Sequence, residues 1–338
     1  MSNALQFFGG GLNDPVFYQQ LTSSATITSP VDGYMAVMAT AGGGSGAASG
    51  NGNTVIATGG GASEIAFDLI KVTAGQTVTI TLGGGGGQVT AAAGVNTNGA
   101  DGNDTTITSS GYTTLTVKGG KGGIWALNTA GAAGGAGGSG GTGGSSNVFR
   151  YQGGRGGLGV ATANVQMRGT GGGAVNVLGL TAQTGTRGGD VTFTTASNWL
   201  GTGGGGVNGT GVDVTSGGGA PSAGGPSFAT NAYYTLNSFT VSFAQGLFLN
   251  GAQGVANTPG GIGAGGGGNA GNSGAPCSGT GGLFGGGGGA NGGTAAGAGA
   301  AGGLGGGGGG GASGTTVTCT SGKGGDAFAV VAIYRKAK

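Results

Sequence analysis

The feature that most constrains this chain is a glycine tract with a period of three. Residues 131–144 read GAAGGAGGSGGTGG, and from residue 134 onward two glycines alternate with one small residue, Ala136, Ser139 or Thr142. An α-helix, with 3.6 residues per turn, and a β-strand, with a period of two, do not have this repeat. A polyproline-II-type helix has three residues per turn and rises about 3.1 Å per residue. The repeat therefore predicts an extended polyglycine-II helix.

A single helix of this kind is unstable, because it forms no hydrogen bonds within itself. Every buried N–H and C=O group then needs a partner on a neighbouring segment. Glycine allows backbones to approach closely, since it has no Cβ atom. Related tracts recur at residues 42–46, 83–87, 119–123, 201–206, 260–268, 285–289 and 302–311. The sequence therefore predicts a packed bundle of polyglycine-II helices.

The composition separates this prediction from two other glycine-rich classes. Glycine supplies 98 of the 338 residues but proline only 6, which excludes a collagen triple helix with its many imino acids. Disordered chains are rich in charge and poor in apolar residues. Here 6% of the residues are charged and 36% are hydrophobic, so the composition indicates an ordered chain.

Segments with the alternation of β-strands lie between the glycine tracts. They occupy residues 25–27, 33–39, 64–72, 77–82, 113–118, 191–194, 239–243 and 326–334. Residues 72–76 form a turn, so the strands on either side of it are predicted to pair as a hairpin. The predicted fold is mostly β and irregular, with short strands and hairpins combined with the polyglycine-II bundle and essentially no α-helix.

Four segments carry a resemblance to a known family. They read SPVDGYMAVMATAGGGSG, ASEIAFDLIKVTAGQTVTITLGGGGG, TTLTVKGGKGG and, at the end, GKGGDAFAVVAIYRK. In this order they resemble the glycine-rich domain proteins of tailed bacteriophages, which occur among tail-fibre and receptor-binding components. The resemblance covers residues 25–123 and the last 20 residues. It implies a polyglycine-II scaffold in a virion, with loops at one end that contact the host.

The chain is predicted to have two parts. Residues 1–24 form an N-terminal docking arm, and residues 25–338 form the glycine-rich domain, with an insertion-like central region at 145–250. The arm is rich in large apolar side chains, among them Leu5, Phe7, Phe8, Phe17 and Tyr18. Such a segment either docks the chain onto a larger assembly or supplies a strand to the chain's own core.

Several functional classes are disfavoured by the sequence. The net charge is +2 and the eleven basic residues are scattered, which gives no footprint for nucleic acid. No apolar run reaches the 18 or so residues of a membrane span, and the N-terminal residues lack the pattern of a signal peptide. We therefore expect synthesis in a cytoplasm without secretory export. The resemblance to phage proteins implies that this is a host cytoplasm and that the chain assembles into a virion, as part of a tail or surface appendage.

Catalysis is also disfavoured. The chain has no histidine, which removes the commonest general base and most metal sites. Repeats of the form G-x-G-x-x-G carry no information at this glycine content, and neither Lys121 nor Lys323 completes a P-loop. Asp101, Asn103 and Asp104 form a polar turn rather than a cation site, since no glutamate follows at the required spacing. We expect no enzymatic activity, no cofactor and no metal.

The two cysteines, Cys277 and Cys319, lie beside glycine-rich segments. A bond between them would close a loop of about 43 residues and contribute roughly 4 kcal/mol in the chain-entropy model. The alternative is a pair of thiols in a protein assembled in a reducing cytoplasm. Both possibilities stay open at this point.

Recognition by a glycine bundle must come from connections that carry large side chains. The candidates for contact with a cell-surface glycan or protein are Arg150, Tyr151, Trp199, Tyr233 and Tyr234. They are predicted to gather at one end of the bundle; the alternative is that they are buried there as end caps. Other virion proteins and further copies of this chain are the remaining expected partners.

Two other functions compete with host attachment. The first is a purely architectural virion protein, such as a capsid decoration or a tail-tip plug. The second is an ice-binding protein, because a polyglycine bundle can present flat faces. Residues Ala136, Ser139 and Thr142 do not form a uniform row of Thr or Ala, which disfavours ice binding, and thermal hysteresis of the purified protein would test it.

Overall fold

The computed structural model describes most of the first half of the chain and parts of the second. The described residues are 15–51, 55–127, 133–161, 168–175, 185–193, 202–206, 210–211, 213, 232–236, 239–243, 259–260, 265–266, 268, 279–291, 296–312 and 317–335. They contain no helix, and their strands lie in several small sheets. The described part is therefore mostly β and irregular, as the sequence predicts.

The strands are numbered in chain order. They are β1 (Phe17–Leu21), β2 (Ala25–Thr28), β3 (Gly33–Thr40), β4 (Ala48–Ser49), β5 (Val55–Ala57), β6 (Ile65–Val72), β7 (Thr77–Thr81), β8 (Thr90–Ala91), β9 (Asn96–Thr97), β10 (Thr105–Ser109), β11 (Tyr112–Val117), β12 (Trp125–Leu127), β13 (Phe149–Tyr151), β14 (Gly159–Ala161), β15 (Arg168–Gly169), β16 (Val191–Phe193), β17 (Ala232–Leu236), β18 (Phe239–Phe243), β19 (Ala290–Asn291), β20 (Gly311–Ala312), β21 (Cys319–Thr320) and β22 (Ala329–Arg335).

Two larger antiparallel sheets pack face to face. One has the strand order β1-β22-β3-β6-β13 and the other β11-β10-β7-β2. Successive side chains along a strand alternate between the two faces of a sheet. Those that point between the two sheets form one core cluster, which includes Met35, Ile70, Ile80, Leu115 and Ile333. All five are fully buried. This sandwich anchors the glycine-rich part of the chain.

A second core cluster covers the other face of the five-stranded sheet. Met38, Phe67 and Val330 point to this face, because each lies one residue out of phase with the sandwich core. The glycine-rich segments supply Val175 and Phe284 to the same cluster. The ring of Phe284 lies 5.9 Å from that of Phe328, in an edge-to-face arrangement. The glycine tracts are thus joined to the sheets by a small apolar core.

The predicted hairpin between residues 64–72 and 77–82 is wrong. Strand β6 pairs with β3 and β13, whereas β7 pairs with β2 and β10. The turn between them carries the chain from one sheet of the sandwich to the other. The side chain of Gln76 stabilises this crossing, because its Oε1 accepts the N–H of Thr73 and its Nε2 donates to Ser109 Oγ. Strands β10 and β11 form a hairpin instead.

The glycine tracts run between two ends of the molecule. Residues 41–47 lead from β3 to β4, and residues 58–64 return from β5 to β6. Residues 118–124 lead from β11 to β12, and residues 321–328 return from β21 to β22. We call the end with the two larger sheets the sheet end, and the end with the short strands β4, β5, β8, β9 and β12 the far end.

Backbone hydrogen bonds join each tract to several others. The successive N–H groups of Gly42, Gly43 and Gly44 donate to the carbonyls of Asn103, Gly325 and Gly61, at 3.0, 2.9 and 2.9 Å. The next three residues, 45–47, donate to the same three tracts in the same order. The carbonyls of Gly42, Gly43 and Gly44 accept from Gly120, Gly86 and Gly308. Six tracts therefore surround this one, and the bond directions repeat every three residues.

Close approach of the backbones explains why these positions are glycine. A Cβ atom added at Gly42, Gly43 or Gly44 would lie under 3.0 Å from a backbone carbonyl of a neighbouring tract, which real Cβ atoms essentially never do. In the period-three tract, Ala136, Ser139 and Thr142 are exposed, whereas Gly137, Gly138 and Gly141 face other parts of the chain. The polyglycine-II conformation of these segments stays a prediction.

The structure corrects the boundary of the N-terminal arm. Strand β1 pairs along its whole length with β22, and Phe17 and Tyr18 pack against the two core clusters. These two residues therefore supply a strand to the chain's own fold, which was the alternative to docking. Leu5, Phe7 and Phe8 lie outside the described residues.

The first part of the central region, 145–250, is joined to the rest of the fold. Strand β13 pairs with β6 in the five-stranded sheet, and β15 pairs with β5 at the far end. Strands β17 and β18 pair with each other. At least the first part of this region is therefore continuous with the glycine-rich domain rather than separate from it.

Candidate functional site

Arg150 lies in strand β13, and its guanidinium group is directed into the protein. Its Nη1 atom donates to the carbonyl of Thr116 at 2.9 Å, and its Nη2 atom donates to those of Thr142 and Gly143 at 2.7 and 2.9 Å. Nη1 also lies 3.7 Å from a carboxylate oxygen of Glu64. The side chain therefore joins one end of the period-three tract to β11, and this favours the end-cap alternative for Arg150.

Glu64 is the buried partner of this arginine. Its Oε2 atom accepts the N–H of Lys118 at 2.9 Å. Burial raises the pKa of Glu64, whereas the hydrogen bond from Lys118 and the charge of Arg150 act to lower it. Removing either charged group would leave the other buried without its counter-charge, which is strongly destabilising.

A second buried carboxylate fixes the start of the connection that carries Arg150. Asp68 is fully buried in the sandwich. It accepts hydrogen bonds from the hydroxyl of Tyr112 at 2.5 Å, from the N–H of Ser145 at 2.7 Å, and from the hydroxyl of Ser145. Burial and the Asp68 carboxylate both raise the pKa of Tyr112. The connection from residue 145 to β13 is thus held by the core and is not a free loop.

Tyr151 is also turned towards the core. Its ring lies 6.2 Å from that of Phe67 in an edge-to-face arrangement, and it packs against the cluster on the outer face of the five-stranded sheet. Burial raises the pKa of its hydroxyl. This geometry again favours the end-cap alternative over receptor contact.

The other three receptor candidates, Trp199, Tyr233 and Tyr234, belong to the second half of the chain. Trp199 lies outside the described residues. Tyr233 and Tyr234 belong to strand β17, opposite Ser242 and Val241 of β18. Their role in receptor contact stays a prediction.

One of the two cysteines, Cys319, lies in the described part of the chain. Cys319 begins strand β21, is buried, and its Sγ atom lies 3.7 Å from the carbonyl of Val317. Cys277 lies outside the described residues. The proposed bond between them stays a prediction.

Asp101 and Asp104 hold two neighbouring glycine tracts together. Asp104 accepts from Lys118 Nζ at 2.7 Å and from the N–H of Gly119 at 3.0 Å. Asp101 does the same three residues away, with Lys121 Nζ at 2.7 Å and the N–H of Gly122 at 2.8 Å. Burial raises the pKa of both carboxyls, but the bonds from the lysine and the backbone bring it below its ordinary value.

This arrangement, which we call the aspartate clasp, is repeated. A basic residue followed by two glycines occurs five times in the sequence, and each time it pairs with an aspartate: Lys118 with Asp104, Lys121 with Asp101, Arg155 with Asp190, Arg187 with Asp213, and Lys323 with Asp326. In all five the carboxylate also accepts a backbone N–H of a neighbouring tract. The motif [KR]-G-G thus marks lateral links between tracts, a signal that was present in the sequence but had not been interpreted.

Within the described residues, no group of three or more acidic or cysteine side chains is placed to hold a metal ion. In that same part of the chain, no helical segment has the length and apolar character needed to cross a membrane. Asn103 accepts through its backbone carbonyl from Gly42 and belongs to the tract lattice.

A group of exposed apolar side chains that the sequence did not predict lies at the far end. Trp125 and Leu127 occupy strand β12, and their side chains are 37% and 52% exposed. Ile124, directly before the strand, is 40% exposed. We call these three residues the Trp125 patch. The sequence signal for this patch is an Ile-Trp pair directly after the KGGKGG tract.

Comparisons with known proteins do not identify a relative. No model of a known protein family matches the chain, and no curated protein does either.

Proposed function

We propose that this chain is a non-enzymatic structural component of a bacteriophage particle, in a tail fibre or tail tip, and that it takes part in attachment to the host. Its partners in this proposal are other virion proteins, further copies of the chain, and a glycan or protein on the host surface. We also propose that its glycine tracts are polyglycine-II helices. The proposal assigns it no cofactor.

The observation that carries the proposal is the backbone lattice. The tract at residues 42–47 exchanges hydrogen bonds with six others, so the shape of this region depends on the main chain and not on a few side chains. A main-chain lattice keeps the connections at its ends in fixed positions. Recognition residues are commonly found on loops that a rigid scaffold positions. The resemblance of residues 25–123 to phage glycine-rich domains supports the same role.

A second candidate, a purely architectural virion protein, is favoured by one observation. Arg150 and Tyr151 are directed into the protein, where they stabilise the sheet end. If all receptor candidates serve in this way, the chain has a structural role alone.

Labelling of phage particles with an antibody against the purified protein tests the proposal. We expect label on the tail or its fibres in electron micrographs, and we expect the free protein to compete with particles for adsorption. Label on the capsid, or label on the tail without competition, would favour the architectural role. Particles without label would contradict both.

The remaining receptor candidates can be tested separately. Alanine at Trp199 and Tyr234 is expected to abolish adsorption and to leave assembly intact. Failure of assembly, or normal adsorption by both variants, would remove these residues from the receptor site.

A further inference from the structure

We propose that the Trp125 patch at the far end is a binding site for an uncharged cell-surface glycan, with the indole ring of Trp125 as its stacking platform. This inference rests on the proposed role in attachment, since it names the ligand class of that role. It differs from the earlier candidates because Arg150 and Tyr151 lie at the opposite, sheet end.

The first step is the uneven distribution of exposed apolar side chains. Six large ones are exposed in the described residues. Four belong to the far end: Ile124, Trp125 and Leu127, and also Val95, directly before β9. Exposed aromatic and apolar groups that lie together on a soluble protein commonly mark an interaction site.

The second step is the geometry of strand β12. Because side chains alternate along a strand, Trp125 and Leu127 point to the same side and Ala126 to the other. The strand pairs with β5 on one edge, with Trp125 opposite Ala57 and Leu127 opposite Val55. Trp125 and Leu127 thus form an apolar platform two residues long, and Ile124, directly before the strand, is also exposed.

The third step separates a glycan from an added β-strand. β12 lies at the edge of its sheet, so another chain could pair with it. The N–H of Trp125, however, already donates to the side-chain Oδ1 of Asn98 at 3.1 Å. Because this N–H group is already bonded, it cannot pair with an added strand. The face that carries the side chains of Trp125 and Leu127 is therefore a better surface for a ligand than the hydrogen-bonding edge of β12.

The chemistry of that face suits a sugar ring. The face of an indole ring is electron-rich, and the C–H bonds on one side of a pyranose pack against such a face. The side-chain amide of Asn98 is bonded to the main chain of Trp125, and its Nδ2 group can donate to a sugar hydroxyl. A few polar groups beside an apolar platform are typical of sites that recognise small ligands.

The fourth step concerns the charge of the ligand. The charged residue closest along this tract is Lys121, three residues before Ile124. Its ammonium group is held by Asp101 at 2.7 Å, so the clasp is close to neutral. Along the described part of this tract, the patch therefore has no unpaired cation for a sialic acid, sulfate or phosphate group, and we take an uncharged glycan as its occupant.

A glycan array with the purified full-length chain tests this inference. The probes are neutral glucans, galactans and mannans, with sialylated and sulfated glycans for comparison. We expect wild-type protein to bind at least one neutral glycan. Trp125→Ala is expected to weaken this binding about tenfold or more, the effect of losing a central aromatic anchor, whereas Trp125→Phe should retain most of it.

Phe149→Ala is the matched control, because Phe149 is a similarly exposed aromatic, 43% accessible, at the sheet end. It should bind as wild type does. Glycan binding should shift the tryptophan emission of the wild type, and Trp125→Phe, in which Trp199 is the only tryptophan, should lose this shift. Melting curves of all variants show whether each one is folded.

Three results would overturn the inference: no binding to any neutral glycan, binding to charged glycans alone, or unchanged binding by Trp125→Ala. None of them would contradict the proposed place in the particle, which depends on antibody labelling. Conversely, glycan binding through Trp125 by a protein absent from particles would remove the proposed function and leave the site.

Discussion

Substitution of Gly138 by valine tests the central claim that the tract backbones are in contact. Gly138 is buried, and a Cβ atom there would lie under 3.0 Å from the carbonyl of Lys118 and from the N–H nitrogen of Glu64. These two atoms are themselves joined by a 2.9 Å hydrogen bond. The new side chain would therefore be forced into a bond between two other tracts.

The expected loss of stability follows from the bonds that must move. The N–H of Gly138 donates to Ala62 at 2.8 Å, and its carbonyl accepts from Gly153 at 3.1 Å. With the bond between Glu64 and Lys118, at least three hydrogen bonds are strained or broken, at about 1 kcal/mol each. Overpacking adds about 1–3 kcal/mol. The sum, about 4–6 kcal/mol, is a large part of the 5–15 kcal/mol of a typical domain.

The matched control is valine at the next residue. Ser139 is exposed, so Ser139→Val adds a similar side chain to the same tract without entering the lattice, and it should change stability by no more than about 0.5 kcal/mol. Urea unfolding followed by circular dichroism compares the two variants, with the conservative Thr142→Ser as a second control. Equal unfolding midpoints for Gly138→Val and Ser139→Val would refute the close-contact lattice.

Four further outcomes are expected. Ser63→Ala should raise the unfolding free energy by about 1 kcal/mol, because the Ser63 hydroxyl is buried without a hydrogen bond in the described residues. A lower unfolding free energy would instead show that this hydroxyl has a hydrogen-bond partner. Arg150→Met should lower it by about 3 kcal/mol in the same urea assay, because Glu64 would be left buried without its counter-charge; a neutral result would mean that this buried pair contributes little. The hydrogen bond from Arg187 holds the pKa of Asp213 below its ordinary value, so this pair stabilises the fold above about pH 4 and the contribution is lost as the pH falls through the lowered pKa. Asp213→Asn should therefore reduce the melting temperature at pH 7 and flatten its decrease in acid, and parallel curves for both proteins would contradict this. Deletion of residues 1–22 should lower the melting temperature, because it removes β1 from the sheet. An unchanged melting temperature would support the interpretation of this segment as a docking arm.

The sequence predicted the strands better than their partners. Alternation placed residues 33–39, 64–72 and 77–82 correctly, because apolar residues at every second position show which side of a strand is buried. Alternation says nothing about which strand lies beside another. A short turn between two alternating segments favours a hairpin, and here the same turn crosses between sheets instead.

The candidate site was less predictable, because its contacts join residues far apart in sequence. The role of Arg150 depends on the main-chain carbonyls of Thr116 and Gly143. Because every residue has such a carbonyl, the sequence does not show which ones accept these hydrogen bonds. The aspartate clasps were more predictable, since the [KR]-G-G repeats can be seen in the sequence. Trp125 could have been selected as an aromatic residue at the end of a tract, but its exposure depends on the edge position of β12.

The lattice around residues 42–47 has a consequence for how the chain folds. Gly43 is bonded to Gly325, so one of the first tracts has its partner 325 − 43 = 282 residues later in the chain. Folding slows when native contacts join distant residues, because the loop must close before those contacts can form. During synthesis the tract at residues 42–47 keeps some of its donors and acceptors in water until the tract around residue 325 has left the ribosome. That later tract then completes the environment of the earlier one, so assembly of the lattice is a late and cooperative event.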